Sequence, residues 1–210
     1  MKPYHKIQTV WLRDPETNHK TLIEGAWSKP DFSYLSCLPW DITEKVDGTN
    51  IRIIWDGSEI TFAGKSDNAQ LPAPLANYLN QKYLPIKDWF AEKFPAGVCL
   101  YGEGYGGKIQ KPMGTKYQEE QKFVMFDIRT PEGLWLERQS VEDIGALIST
   151  RVVPTLGSME LIDAVQMCRE GFDSQWGDFQ AEGVIARPPT ELSNRFGERV
   201  ITKIKCKDFS

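Results

Sequence analysis

Polar and apolar residues alternate through positions 50–55, where Ile51, Ile53 and Trp55 share one side, as in a half-buried strand. Asp56-Gly57 then turns the chain into a second strand over 59–63, which predicts a hairpin. Between 74 and 94 the period lengthens. Leu75, Tyr78 and Leu79, then Ile86, Trp89 and Phe90, fall at helical spacing, and Pro85 divides two short helices. Residues 98–103 and 122–128 read as strands joined by a Gly/Lys-rich loop. Val141, Ile144 and Ile148 mark one further helix, and Leu161, Ile162 and Val165 another. Two late strands follow at 182–187 and 199–205, the first closed by Pro188-Pro189. The pattern predicts an α+β fold of antiparallel β-sheets flanked by helices, with no internal repeat.

Composition narrows the class. A chain of 210 residues can bury one substantial core, or a core and a small appendage. With 40% hydrophobic residues, including 7 Trp, 7 Tyr and 10 Phe, disorder is excluded. No apolar run approaches the roughly 18 residues of a membrane span, and the first ten residues have no apolar signal-peptide stretch. Cys37, Cys99, Cys168 and Cys206 are far apart and form no CxxC pair, so they read as buried free thiols in a reducing, cytoplasmic compartment. The two histidines, His5 and His19, argue against a Ser-His-Asp triad or a His-rich metal site. The net charge of -4 is unevenly spread: residues 131–191 carry eleven acids against four arginines, whereas 192–210 carry five bases against two acids. By itself this asymmetry is also that of an ordinary solvated surface.

The densest chemical signal is Glu44-Lys45-Val46-Asp47-Gly48-Thr49-Asn50, just before the hairpin. A lysine becomes a nucleophile when its amine is neutral at the moment of attack. Gly48 permits close backbone approach to a nucleotide, and Asp47 is placed to hold a hydrated cation. Alone the string is weak, because Asp-Gly is also a plain turn. A competing phosphate motif fails: residues 102–108 fit both GxGxxG and GxxxxGK, but Ile109 stands where a P-loop needs Ser or Thr. Pro112 also argues against the helix that either motif requires.

The ordered set of strings resembles the covalent nucleotidyltransferase superfamily of ligases and capping enzymes, and most closely its second phage-type family of RNA ligases. Residues 44–50 are similar to that family's nucleophile motif. Phe62-Ala63-Gly64-Lys65-Ser66 resembles the short basic motif after the first hairpin. Tyr101-Gly102-Glu103 resembles the motif whose glutamate contacts ribose, and residues 107–112 resemble the loop that follows. Phe126-Asp127-Ile128 is similar to the motif whose ring stacks on adenine. Residues 182–187 resemble the metal-binding motif, and Ile204-Lys205-Cys206-Lys207 the terminal pair of phosphate-binding lysines. The strings run in the family's order from 44 to 207.

The resemblance implies an adenylyltransferase domain of the ATP-grasp-like ligase type over residues 1–210, with ATP as substrate and Mg2+ or Mn2+ as metal. It implies Lys45, Lys205 and Lys207 as catalytic residues. Glu44, Asn50, Lys65, Glu103 and Phe126 would bind ATP, and Asp47 and Glu182 the metal. Lys205 and Lys207, placed on one late strand, would point to one face. Lys203 would share that face or lie on the strand's wet edge. By pattern alone Phe126 is an ordinary core residue, and Glu103 and Glu182 exposed strand residues. The sequence also departs from the pattern. Asp47 stands where some RNA ligases have His, and Lys65 where Arg is frequent, giving a point charge in place of a bidentate contact. Asn50 stands where DNA ligases and capping enzymes have Arg, which favours RNA. Only Ser210 follows Phe209, so no C-terminal OB or helical domain is expected. The expected protein is therefore a cytoplasmic monomer, acting in the host cytoplasm if phage-encoded, on RNA ends (nicked duplex or single strand), with extra grip from an accessory protein or domain in trans. A DNA-nick ligase, an RNA-capping guanylyltransferase and a non-catalytic end-binding module stay open at this stage.

Overall fold

The computed structural model describes residues 1–209. In chain order its strands are β1 (Gln8–Thr9), β2 (Trp11–Arg13), β3 (Leu22–Trp27), β4 (Trp40–Glu44), β5 (Thr49–Trp55), β6 (Ile60–Ala63), β7 (Val98–Tyr105), β8 (Lys122–Arg129), β9 (Thr155–Met159), β10 (Gly183–Arg187) and β11 (Thr202–Lys205). The helices are α1 (Pro30–Tyr34), α2 (Ala73–Tyr83), α3 (Lys87–Lys93), α4 (Gly114–Tyr117), α5 (Arg138–Leu147) and α6 (Leu161–Glu170). They form two compact units: one takes Met1–His5 and Asp47–Val153, the other Lys6–Val46 and the chain from Pro154 onward.

The first unit is built on a four-stranded antiparallel sheet, ordered β6-β5-β7-β8. Alternation along β5 puts Ile51, Ile53 and Trp55 on one face, all buried. There they pack with Leu100 of β7, Phe123 and Met125 of β8, and Leu75, Leu79 and Tyr83 of α2. Each such side chain contributes about 1.5–3 kcal/mol by leaving water. The predicted break at Pro85 is a 3-10 turn, Leu84–Ile86, between α2 and α3. Residues 102–105 lie inside β7, so the P-loop reading is ruled out by backbone conformation.

The opposite face of this sheet carries Asn50 and Arg52, whose register partners on β7 are Glu103 and Tyr101. Arg52 is fully buried: it donates to the carbonyls of Gly64 (3.0 Å) and Met1 (3.3 Å) and pairs with Asp67 at 2.7 Å. Residues 1–5 cover part of this face. Tyr101 donates to the Lys2 carbonyl at 2.7 Å, and Tyr4 to Asp127 at 2.5 Å.

The second unit has a five-stranded sheet, ordered β1-β11-β10-β4-β9, and a small β2-β3 pair. All its ladders are antiparallel except β1 with β11, which is parallel, an exception to the antiparallel expectation. Ile42, Val184, Ala186 and Ile204 form its buried face together with Leu161, Ala164, Val165 and Cys168 of α6. Two further expectations change. Cys37 is exposed, and only Cys99, Cys168 and Cys206 are buried. The last strand ends at Lys205, and Cys206–Asp208 is a 3-10 turn, so Lys207 does not share a strand with Lys205. No helix among the described residues is long and apolar enough to cross a membrane.

Candidate active site

In the second unit, the face of the sheet opposite α6 brings the lysines together. Val184, Ala186, Thr202 and Ile204 are buried, so the alternate positions on β10 and β11 point to the other side. These include Gly183, paired with Lys205, and Ile185, paired with Lys203. Lys45 follows β4 directly, and its backbone N–H donates to the Gly183 carbonyl at 2.9 Å, which extends the ladder by one residue. Lys45 and Lys205 therefore flank Gly183. No larger residue fits between them: a Cβ at Gly183 would lie 2.1 Å from the Ile204 carbonyl oxygen and 2.7 Å from the Lys205 Cα, and its φ of 148° disfavours side chains.

Glu182 joins the two amines. Its Oε2 accepts from Lys45 Nζ at 2.5 Å and its Oε1 from Lys205 Nζ at 2.6 Å. The carboxylate side chain is 11% exposed, and the two lysine side chains 21% and 20%. Burial works to raise the carboxyl's pKa, but the two ammoniums outweigh it and hold Glu182 below its ordinary value. The opposite holds for Lys203, whose pKa falls to about 8 through burial and then the charges of Lys205, Lys45, Lys6 and Arg13.

Glu44, one residue before Lys45, emerges on the α6 side of β4 and is 1% exposed. Its carboxylate accepts from Ser174 Oγ at 2.5 Å and from the Gln175 N–H at 2.8 Å, which ties the 174–175 loop to the strand bearing the lysine. Lys207 lies exposed in the turn after β11.

In the first unit a second group of expected residues converges. Asn50 and Glu103 are directly opposed across β5 and β7, so their side chains share a face. The Asn50 amide oxygen is buried and has no hydrogen-bond partner among the described residues. A buried acceptor left unpaired costs about 1–3 kcal/mol, and a donor from a ligand would remove that cost. Asp47 is anchored through its N–H to the Tyr117 hydroxyl at 3.1 Å, and the Gly48 carbonyl accepts from Gln110 Nε2 at 2.9 Å. Gly48 must be glycine for steric reasons, since a Cβ there would sit 2.2 Å from the Gly104 carbonyl oxygen. Lys65 is exposed in the turn after β6, a turn held by the buried Arg52 through Gly64 and Asp67.

Phe126 is the extra residue of a β-bulge. Tyr101 pairs with Asp127 and Gly102 with Met125, so Phe126 has no partner on β7. Bulges re-aim side chains in this way. The ring is half-buried rather than core and meets Tyr4 edge-on, with centroids 5.0 Å apart. Sequence reasoning missed Arg52, Tyr117, Ser174 and Tyr4. Each acts through a partner 12 or more residues away, and local pattern carries no signal for such partners.

The donor groups suit a magnesium ion shared with substrate phosphates rather than an all-protein cage. Among the described residues no three His, Cys, Asp or Glu side chains converge on one point. Magnesium characteristically keeps several waters and takes one or two carboxylates plus substrate phosphates.

No curated protein sequence matches this chain. Among solved structures it is similar to Naegleria gruberi RNA ligase. A variant without ligand superposes with a TM-score of 0.67 at 17% identity, covering 86% of this chain and 53% of that one. The same enzyme with pyrophosphate gives 0.66 and 17%, over 84% and 52%. A lysine-to-alanine variant with ATP and manganese gives 0.65 and 18%, over 84% and 52%. The chain thus spans about half the length of the solved structures it matches. The likeness shows a shared fold. Stronger evidence comes from the sequence itself, where the RNA ligase family model matches residues 38–205, from just before β4 to the end of β11. A match over most of its length settles the kinship: this chain belongs to the RNA ligase family.

Proposed function

We propose that the protein joins RNA 5′-phosphate and 3′-hydroxyl ends at the expense of ATP, through a lysyl-AMP intermediate on Lys45. The observation that carries this reading is the carboxylate of Glu182 held between the amines of Lys45 and Lys205. A binding module has no use for a nucleophile kept in that position.

In the first step Lys45 Nζ attacks the α-phosphorus of ATP. An N–P bond forms, and the bond to pyrophosphate breaks. The amine must be neutral to attack, so the proton it shares with Glu182 departs first. A carboxyl held below its ordinary value does not retain that proton at neutral pH, and it passes to solvent. Lys205 and Lys207 neutralise charge on the phosphate under attack. Glu103 accepts from a ribose hydroxyl, Phe126 stacks on the adenine, and Asn50 and Lys65 position the phosphates. Glu44 lies on the other face of β4 and does not reach ATP, contrary to the expectation from the motif; it acts indirectly, by fixing the strand end that leads into Lys45. Asp47 and Glu182 would each hold water of a hydrated Mg2+ or Mn2+, whose chemistry is to offset triphosphate charge as pyrophosphate leaves.

In the second step a terminal 5′-phosphate oxygen of RNA attacks the lysyl-AMP phosphorus and Lys45 departs. In the third, a 3′-hydroxyl oxygen attacks the adenylated 5′-phosphorus, AMP leaves, and the hydroxyl proton is lost. The purified protein with ATP and magnesium is expected to seal 5′-phosphorylated RNA, nicked or single-stranded, in preference to the same ends in DNA. Product separation on denaturing gels measures this. Labelling by GTP in place of ATP would mark a capping enzyme, and equal sealing of DNA would remove the RNA assignment.

A further inference from the structure

The second unit contains a cavity of about 840 Å3 that the nucleotide chemistry above does not use in full. Six cationic side chains line it (Lys6, Arg13, Lys20, Lys203, Lys205 and Lys207) against the single carboxylate of Asp208. Arg13 is fixed in place: it pairs with Asp208 at 2.5 Å and donates to the Lys20 carbonyl at 3.0 Å. Among the described residues no ion pair engages Lys6, Lys20 or Lys203. The folded chain therefore gathers uncompensated positive charge here although its net charge is -4. Crowded cations repel one another, and the charges of Lys205, Lys45, Lys6 and Arg13 are the second cause, after burial, of the depressed Lys203 pKa. An anionic ligand would relieve that repulsion.

Size and position narrow the class of ligand. The cations line a space of about 840 Å3 rather than one compact point, an arrangement suited to phosphates spaced along a strand. Lys6, Arg13 and Lys20 also precede residue 38, where the family match begins, so they lie outside the segment that family members share. Lys205, by contrast, connects the cavity to Lys45 through Glu182. We propose that this cavity binds the phosphates of the RNA strand whose 5′ end receives AMP, with Lys6, Arg13, Lys20 and Lys203 as its backbone contacts. This rests on the ligase reading and assigns the grip on RNA to the segment before β4.

The test compares the wild type with Lys6→Gln/Lys20→Gln, two exposed positions, and with Lys203→Gln. Fluorescence anisotropy follows 5′-phosphorylated single-stranded RNA from about 50 to about 200 mM salt. Label from α-labelled ATP follows lysyl-AMP formation separately. The double variant is expected to bind RNA about tenfold more weakly, with the salt slope reduced by about 1.4, or about 0.7 for each lost cation. Its lysyl-AMP formation should change less than about twofold, while AMP transfer to RNA needs about tenfold more RNA. Lys203→Gln should weaken RNA binding in the same direction. Unchanged RNA affinity in both variants would overturn the proposal. So would a loss confined to lysyl-AMP formation, because the cavity would then take the phosphates of ATP. If the wild type forms no lysyl-AMP, the ligase reading fails, yet the anisotropy comparison still decides the cavity.

Discussion

At the scale of single residues, much depends on Glu182. It is the counterion that lets two lysines sit beside one another at partial burial, with its oxygens 2.5 and 2.6 Å from their amines. Removing its charge leaves two ammoniums without a partner. Breaking a buried pair costs about 3–5 kcal/mol, less where water reaches the group, so Glu182→Gln is expected to lose about 2 kcal/mol of stability at neutral pH. Lysyl-AMP formation should fall at least about a hundredfold. The pH dependence has a definite sign. A carboxyl depressed on folding adds stability that is complete above its ordinary value of 4.5 and is lost as pH falls through the lower folded value. Denaturant melts from neutral to acid pH should show this loss in the wild type and not in Glu182→Gln. Parallel acid limbs for the two proteins would mean that the carboxylate is not paired in solution.

At the scale of elements, the segments with a clear period were legible and the strand that leads into Lys45 was not. β5, β6, β7 and β8 follow the alternation and turn signals closely, and α2, α3, α5 and α6 follow the helical spacing. β4 ends in Glu44, a buried acid that local pattern reads as solvated, and it runs into a string that reads as a turn. β9 contains Gly157 and is largely exposed, so it shows no apolar alternation. β1 consists of two residues paired with β11 some 194 positions away, a relation no local window contains. The motif order singled out Lys45, Glu182 and Lys205, which the folded chain brings together, without any sign of β4. The bulge at Phe126 and the turn at Lys207 depend on register and on strand length, and both were invisible. Gly183 is where element and site meet. Gly183→Ala is expected to cost at least about 3 kcal/mol, because the new methyl meets strand backbone and the φ is unfavourable. It should also slow lysyl-AMP formation by pushing Lys205 off Glu182. Urea denaturation and α-labelled ATP read the two effects. A variant as stable as the wild type would show that β10 and β11 are not as close as described.

At the scale of the whole molecule, charge is sorted rather than balanced. The acidic excess of residues 131–191 and the basic excess after them were visible in the sequence. Their meaning was not, since the cationic cavity draws its other half from residues 6–20, far away in the chain. The two compact units interleave along the sequence, with the chain passing from one to the other between Val46 and Asp47, one residue beyond Lys45. Each unit carries its own part of the proposed chemistry: amines and Glu182 in one, Asn50, Glu103 and Phe126 in the other. The family relationship and the Glu182-bridged lysines together make one central claim, that Lys45 becomes covalently attached to AMP. The most direct test is to incubate wild type and Lys45→Ala with α-labelled ATP and magnesium, denature, digest, and locate the labelled peptide by mass. The expected result is acid-labile AMP on residue 45 of the wild type and no label on the variant. Label on the variant, or on any other residue of the wild type, would contradict the account.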